Sequence, residues 1–315
     1  MTTRAVGITR PGGPEVLDVI EREVPEPGEG EVRIRVAAAD VNPSDIATRE
    51  RGSDRGDPPW VPGWDAAGVI ESVGPGVEGF AAGDEVVAVV LPAGPGAQQE
   101  LLVAPAGQVV PIPDGASFEQ AATLPMNGLT AMRSLELLGL DPGDNLVVTG
   151  GAGQLASFAI GLAKERGLRV IADAKPADEE LVRSFGADVV VPRGQGFVDA
   201  VREIVPDGAD GVLDTALLNR DAFPVLRDGG VLVPVRGWNH GDSERGIEIR
   251  PVLVWEVIGR TDWLLELRRL ASEGKLQLRV AGTYPPERAA DAQEAMDAGG
   301  LRGRAVIVFG ATEAP

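Results

Sequence analysis

One stretch, LVVTGGAGQLASFAIG (146–161), limits what this chain can build more than any other. A run of β-formers passes through a glycine-rich turn directly into residues whose apolar positions recur at helical spacing. Gly151, Gly153 and Ala156 satisfy the G-x-G-x-x-G/A pattern in the strand-to-helix setting it requires. Glycine lets the backbone turn tightly and approach a pyrophosphate, whose charge is met by free N–H groups at the helix start. Ala156 is small enough for helix and strand to pack closely. The stretch is read as a dinucleotide-binding turn, with Gly151, Gly153, Gln154 and Leu155 as cofactor-binding positions. A tight strand–helix turn that holds no ligand is the alternative.

The stretches on either side place that turn in an architecture. Before it, EVRIRVAAAD (31–40) alternates with period two, and GVIESVG (68–74), GDEVVAVVL (83–91) and QELLVAP (99–105) read as further strands between turns. This is a β domain, a small irregular barrel. Ser117 and Gln120 form a capping-box pattern that opens the first long helical stretch. From NLVVTG onward strands and helices alternate with short connections, which implies a parallel sheet covered on both faces. A chain of 315 residues exceeds one ordinary core, so two domains are expected. The β domain takes residues 1–122, and the nucleotide domain 123–276.

Charge and composition exclude several partners. Acidic side chains outnumber basic ones, 48 against 29, for a net charge of −19. Such a surface repels nucleic-acid phosphates and anionic membranes. No apolar run reaches the roughly 20 residues that span a bilayer, and the first residues show no signal-peptide pattern. With no cysteine, the cytoplasm is the expected compartment. Zero cysteines and one histidine cannot assemble a zinc site of nitrogen and sulfur ligands, so no metal is expected.

Seven motifs in order carry a resemblance over nearly the whole chain: VNPSD (41–45), VPGWDAAGVIESVG (61–74), GDEV (83–86), GLTA (128–131), VVTGGAGQLA (147–156), LVRSFGAD (181–188) and LRDGGVLVPV (226–235). Together they resemble the medium-chain dehydrogenase/reductase superfamily, and within it the zinc-independent quinone oxidoreductases. The resemblance implies an α/β fold: a Rossmann-type parallel sheet domain plus a GroES-like irregular β-barrel domain. It returns the end of the chain, 277–315, to the barrel and leaves a cleft between the domains. It also implies a homodimer, for which EIRPVLVWEVIG (248–259), rich in β-formers, offers an edge. The turn departs from the family at Gln154, where the family has glycine.

The resemblance also assigns residues. Asn42 lies beside the nicotinamide and Thr130 against the same ring, and Asn42 and Asp45 are the candidate catalytic residues. Asp45 orients its loop or binds substrate, or is a solvated carboxylate at a helix start. Zinc-dependent relatives carry metal ligands where this chain has Asn42, Trp64 and Met126, none of which makes the usual site. Trp64 either fills the space left by the metal, against the substrate, or anchors the barrel core. Ser44 is a capping or turn residue. Trp238 is the wall for cofactor and a flat substrate, His240 is an exposed loop residue, and Tyr284 is a packing residue. At the end of the second strand, LRVIADAKP, matching to NAD-dependent relatives puts Ala174 at the acidic position and turns Asp173 away from the ribose. Lys175, one of three lysines, then meets a 2′-phosphate with Arg193. NADPH is expected in preference to NADH, and the acceptor is a quinone or an α,β-unsaturated carbonyl. A biosynthetic enoyl reductase of the same fold and a non-catalytic NADPH-binding protein are the alternatives.

Overall fold

The structure, a computed structural model, describes residues 2–24, 26–92 and 94–310. The chain divides into two compact units. The first runs to Met126 and adds Ile258–Ser272 and the chain from Leu278 onward; the second holds Asn127–Val257 and Glu273–Gln277.

In chain order the first unit opens with β1 (Thr2–Ile8), β2 (Leu17–Glu23), β3 (Glu31–Asp40), α1 (Pro43–Arg51), β4 (Asp65–Val73), β5 (Glu85–Val89), β6 (Leu101–Pro105), β7 (Val109–Pro111) and α2 (Phe118–Ala121). Next come α3 (Pro125–Leu138), β8 (Asn145–Thr149), α4 (Gln154–Glu165), β9 (Arg169–Ala174), α5 (Glu179–Ser184), β10 (Val189–Pro192), α6 (Phe197–Ile204), β11 (Ala209–Asp214), β12 (Leu226–Pro234) and β13 (Glu248–Ile249). The chain closes with α7 (Thr261–Ser272), β14 (Val280–Tyr284), α8 (Ala289–Asp297) and β15 (Arg304–Val308).

The first unit is built on a sheet of order β14-β15-β3-β4-β5-β7, with β6 also paired to β3. β15 lies antiparallel to β3, so the end of the chain completes this sheet. Its inward residues, among them Val32, Ile34, Ile70, Leu102 and Ile307, form one core, and Tyr284 packs against it. The β1–β2 ribbon went unread in the sequence because Arg4, Asp18, Glu21 and Arg22 interrupt its apolar alternation. α1 begins with Asn42 as cap and Pro43 in its first turn, and ends at Gly52, whose φ of +78° suits glycine. α1 therefore runs to Arg51.

The second unit has a parallel sheet of order β10-β9-β8-β11-β12-β13. This is the doubly wound order in which the first strand is central and the chain reverses direction beside it. Val147, Ile171, Val212, Phe223 and Leu232 belong to its core. α4 is buried on nearly every side, from Ala156 through Ala163, rather than on a single face. Its run of small and apolar residues reads as a fully covered helix.

Two boundaries differ from expectation. Residues 258–272 sit with the first unit, because α7 is tied to the β7–α2 connection. Arg268 Nε donates to the Ile112 carbonyl at 3.1 Å, and the Asp114 N–H donates to Ser272 Oγ at 2.9 Å. The edge expected over 248–259 is a strand only at Glu248–Ile249. Pro251 has no N–H to give a ladder, and Val254–Glu256 closes into a 3₁₀ turn that leaves Trp255 half exposed. Among the described residues, no helix is long and apolar enough to cross a membrane.

Candidate functional site

In the second unit the candidate site is the turn from β8 into α4. Gly150 has φ of +70°, and a Cβ there would lie 2.7 Å from Thr215 Oγ1. A Cβ on Gly151 would lie 2.6 Å from the Asp173 carbonyl oxygen. Gly153 caps α4 and, being glycine, brings no side-chain acceptor of its own to the first turn. Gln154, in the place of a family glycine, does not fill the cradle. Its amide is buried and donates to the Gln277 carbonyl at 2.9 Å. Leu155 is half-buried. These residues fit a dinucleotide pyrophosphate: backbone donors at a helix start, on glycines that admit close approach.

At the ends of β9 and β10 the structure corrects one expectation. Asp173 does not turn away from the cofactor turn. Its Oδ1 accepts the Gly151 N–H at 3.1 Å, and its Oδ2 lies 3.8 Å from Arg193 Nε. The Gly151 N–H also reaches the Asp173 main-chain oxygen, so the residue's own backbone bond brings the carboxyl round to the turn. Burial raises the Asp173 pKa, against the lowering effect of Gly151 and Arg193. Ala174 is buried, while Lys175 is exposed. Thr130 is buried on α3. Trp238 has one face on Phe223, with ring centroids 5.8 Å apart, and its indole N–H donates to the Gly241 carbonyl. That face and that N–H are committed within the unit, and His240 meets the ring edge-on from an exposed position.

In the first unit the candidate residues converge on a buried polar cluster. Asp40 ends β3, Asn42 caps α1, Asp45 lies in its first turn, and Asp65 opens β4; all four are fully buried. The Asn42 side-chain N–H groups donate to Asp40 Oδ1 at 2.6 Å and to Asp65 Oδ2 at 3.4 Å. Asp65 Oδ1 accepts the Met126 N–H at 2.8 Å. Asp45 accepts the main-chain N–H groups of Asn42 at 2.9 Å and Gly63 at 3.0 Å, with Gln98 Nε2 at 3.4 Å. Arg304, buried at the start of β15, brings Nε within 3.9 Å of Asp40 Oδ2.

Three carboxyls out of water around one guanidinium do not all ionise easily. Burial pushes Asp40 well above the usual carboxylate range, and the Asp65 charge adds to it. Burial likewise raises Asp45 and Asp65 to about 7, against the hydrogen bonds that favour their charged forms. Arg304 is lowered by its burial, while the three carboxylates oppose that.

The structure selects among the alternatives for Asp45 and Trp64. Asp45 is neither solvated nor open to a substrate, because both its oxygens accept bonds that fasten α1 and the Gly63 turn. Asn42 does not offer its N–H groups to a reaction partner, since both are taken by carboxyls. Trp64 is a core residue: it is buried and its indole N–H donates to Ser44 Oγ at 2.9 Å. The zinc ligand set of related dehydrogenases is not reproduced. An indole N–H offers no lone pair, Asn42 is held by two carboxyls, and the carboxyl oxygens of Asp45 and Asp65 are engaged. Among the described residues, no group of three or more His, Cys, Asp or Glu is placed to hold a metal ion. Sequence reasoning missed Asp40, Gln98 and Arg304. The legible signal was a charge at each of two strand ends, AAAD and GRAVIV, whose neighbouring residues are apolar.

Comparison with known proteins agrees with both units. Residues 28–114 match the alcohol dehydrogenase GroES-like domain, and residues 185–307 match a zinc-binding dehydrogenase model. The chain is 32% identical over 307 residues to the chloroplastic NADPH-dependent alkenal/one oxidoreductase of Arabidopsis thaliana, covering 92% of this chain and 76% of that one. It is 28% identical over 317 residues to the chloroplast envelope quinone oxidoreductase homolog of the same plant, covering 94% and 95%. A solved structure described as an NAD-dependent alcohol dehydrogenase superposes with a TM-score of 0.87 at 31% identity, over 98% of this chain and all (100%) of that one. The chain belongs to the medium-chain dehydrogenase/reductase superfamily and is an oxidoreductase of a kind that binds a nicotinamide dinucleotide.

The raised carboxyl pKa values make a signed prediction. A carboxyl whose folded pKa exceeds its unfolded value, about 4, binds its proton more tightly when folded. Its stabilisation is full below the unfolded value and is lost as pH rises through the folded one, about 7 for Asp45 and Asp65. Denaturation free energy should therefore fall between about pH 4 and about pH 8, and Asp65→Asn should flatten that slope. An unchanged slope in the variant would contradict the assignment.

Proposed function

We propose that this oxidoreductase reduces a quinone or an α,β-unsaturated carbonyl with NADPH and without a metal. The observation that carries the reading is the cluster around Asn42 and Trp64. Where zinc-dependent relatives polarise a carbonyl, this chain has a buried indole and a clamped amide. A simple ketone that accepts hydride becomes an alkoxide, which needs a metal or a positioned acid. A quinone or enone becomes a delocalised phenolate or enolate instead. Phenol acidity near 10 against 15.7 for water makes the developing charge easier to hold by at most about 8 kcal/mol. Hydrogen bonds and solvent protons then suffice.

NADPH, when bound, supplies the hydride. The chain's own residues bind and orient it. The β8–α4 turn takes the pyrophosphate, and the resemblance sets Asn42 and Thr130 at the nicotinamide. Lys175 and Arg193 are the cations for a 2′-phosphate. Support for NADPH comes from Lys175, exposed just past the end of β9. The name of the alkenal/one oxidoreductase points the same way.

Two measurements test this. Purified protein should oxidise NADPH with at least one member of a panel of quinones and enones, at a rate a strong chelator leaves unchanged. Stoichiometric zinc lost together with activity would sink the metal-free reading. Lys175→Ala should weaken NADPH binding by roughly 1.5–3 kcal/mol, as for a hydrogen bond to a charged group, with little change for NADH. Equal losses for both cofactors, or a wild type that favours NADH, would reverse the cofactor assignment.

A further inference from the structure

β6 uses its two faces differently. Side chains alternate along a strand, so Leu102 and Ala104 enter the core of the first unit while Leu101 and Val103 face the other way. That outer face is not packed solid. It forms one wall of a cavity of about 430 Å³, a size that holds small ligands. Val24 after β2, Leu91 after β5 and Ile258 before α7 add apolar wall. All of these residues belong to the first unit, and none belongs to the Asp40–Asn42–Asp65 cluster or to the β8–α4 turn.

The polar part of the cavity is a guanidinium without an acid. Arg22, half-buried on β2, donates from Nη1 to the Pro95 carbonyl at 3.2 Å. Gln99 is buried and donates to the same carbonyl and to that of Gly96, at 2.7 Å each. The 95–96 turn is thus held in place, and it orients the guanidinium. Burial lowers the Arg22 pKa, and no carboxylate opposes that. Glu31 and Glu23 also line the cavity, but Glu31 accepts the Gly28 N–H at 2.9 Å and Glu23 is exposed. Arg33 on β3 shows the contrasting arrangement, a buried guanidinium with Glu26 and Glu71 against it. A guanidinium carries several N–H donors in a planar fork that fits a carboxylate, and the Pro95 carbonyl engages only Nη1.

We propose that this cavity is a binding site for a small amphipathic carboxylate, its apolar body against Leu101, Val103 and Ile258 and its carboxylate on Arg22. A monoanion suits it better than a phosphate. One cation faces the ligand, and the charges of Glu23 and Glu31 on the same lining repel a dianion more strongly. A neutral apolar molecule fills the volume but removes water from a charge that it does not compensate. The occupant therefore brings one negative charge on an apolar chain, as a medium-chain fatty acid does. Neither the cofactor nor the electron acceptor enters this site, which is a second binding function of the chain beside its redox reaction.

The test is a calorimetric titration of the protein with octanoate, with 1-octanol as the neutral control. Octanoate should bind one site per chain with a dissociation constant under about 1 mM, and saturating 2′,5′-ADP should leave that binding unchanged. Arg22→Gln should weaken octanoate by roughly tenfold or more, the scale of a hydrogen bond to a charged group. The same variant should keep the wild-type affinity for octanol, which shows that its cavity is intact. Val103→Phe narrows the cavity and should weaken both ligands; Ile258→Phe carries the same expectation and decides the matter if Val103→Phe does not fold. No saturable octanoate binding, equal octanoate affinity in wild type and Arg22→Gln, or displacement of octanoate by 2′,5′-ADP would overturn the site. Octanoate binding untouched by the cavity-narrowing substitutions would overturn it as well, by putting the ligand elsewhere.

Discussion

Closing three carboxyl groups off from water is the costliest thing the first unit does, and its local geometry is arranged to meet that cost. Each carboxyl ends or begins an element: Asp40 closes β3, Asp45 starts α1, and Asp65 opens β4. Each is compensated by donors from somewhere else in the chain. Asp45 gathers N–H groups from Asn42 and Gly63, Asp65 takes the Met126 N–H, and Arg304 arrives on β15 from the far end of the sequence. An unpaired buried charge costs far more than a surface ion pair returns. Once those elements meet, the segment 41–65 is held by these polar contacts together with buried apolar residues such as Val41, Val61 and Trp64.

The second unit solves a different problem at its β8–α4 turn. The helix start is capped by a glycine, and the glycines before it admit a ligand where a Cβ would strike Thr215 or the Asp173 backbone. Of the side chains that might close the cradle, one is drawn away and one stays at the turn. Gln154 goes to the Gln277 carbonyl, and Asp173 takes the Gly151 N–H. What remains is a set of backbone donors suited to an anion, next to two cationic side chains at the strand ends.

Much of this was legible in the sequence. Alternation in EVRIRVAAAD and the strand–turn–helix run through Gly151 and Gly153 placed both units. The glycine pattern carried its physics with it, because only a residue without a side chain fits there. What stayed hidden was the direction of side chains whose role depends on distant partners. Asp45 looked like a solvated carboxylate because Gly63 and Gln98 are not near it in sequence. Asp173 was turned the wrong way by strand alternation, since the hydrogen bond from Gly151 at the strand end outweighs the period-two rule. Nothing local to Asn42 shows that Asp65, 23 residues on, accepts its second N–H. The segment 248–259 read as a strand by composition, and Pro251 broke it.

The most direct test of the account is the fate of the transferred hydrogen. With NADPH carrying deuterium at the reactive nicotinamide carbon, an enone product should hold the label at its β-carbon. In heavy water with unlabelled NADPH, solvent deuterium should appear only at the α-carbon. Solvent label at the β-carbon, or deuterium left on the oxidised cofactor from both faces of the nicotinamide, would contradict direct hydride transfer to a delocalised acceptor.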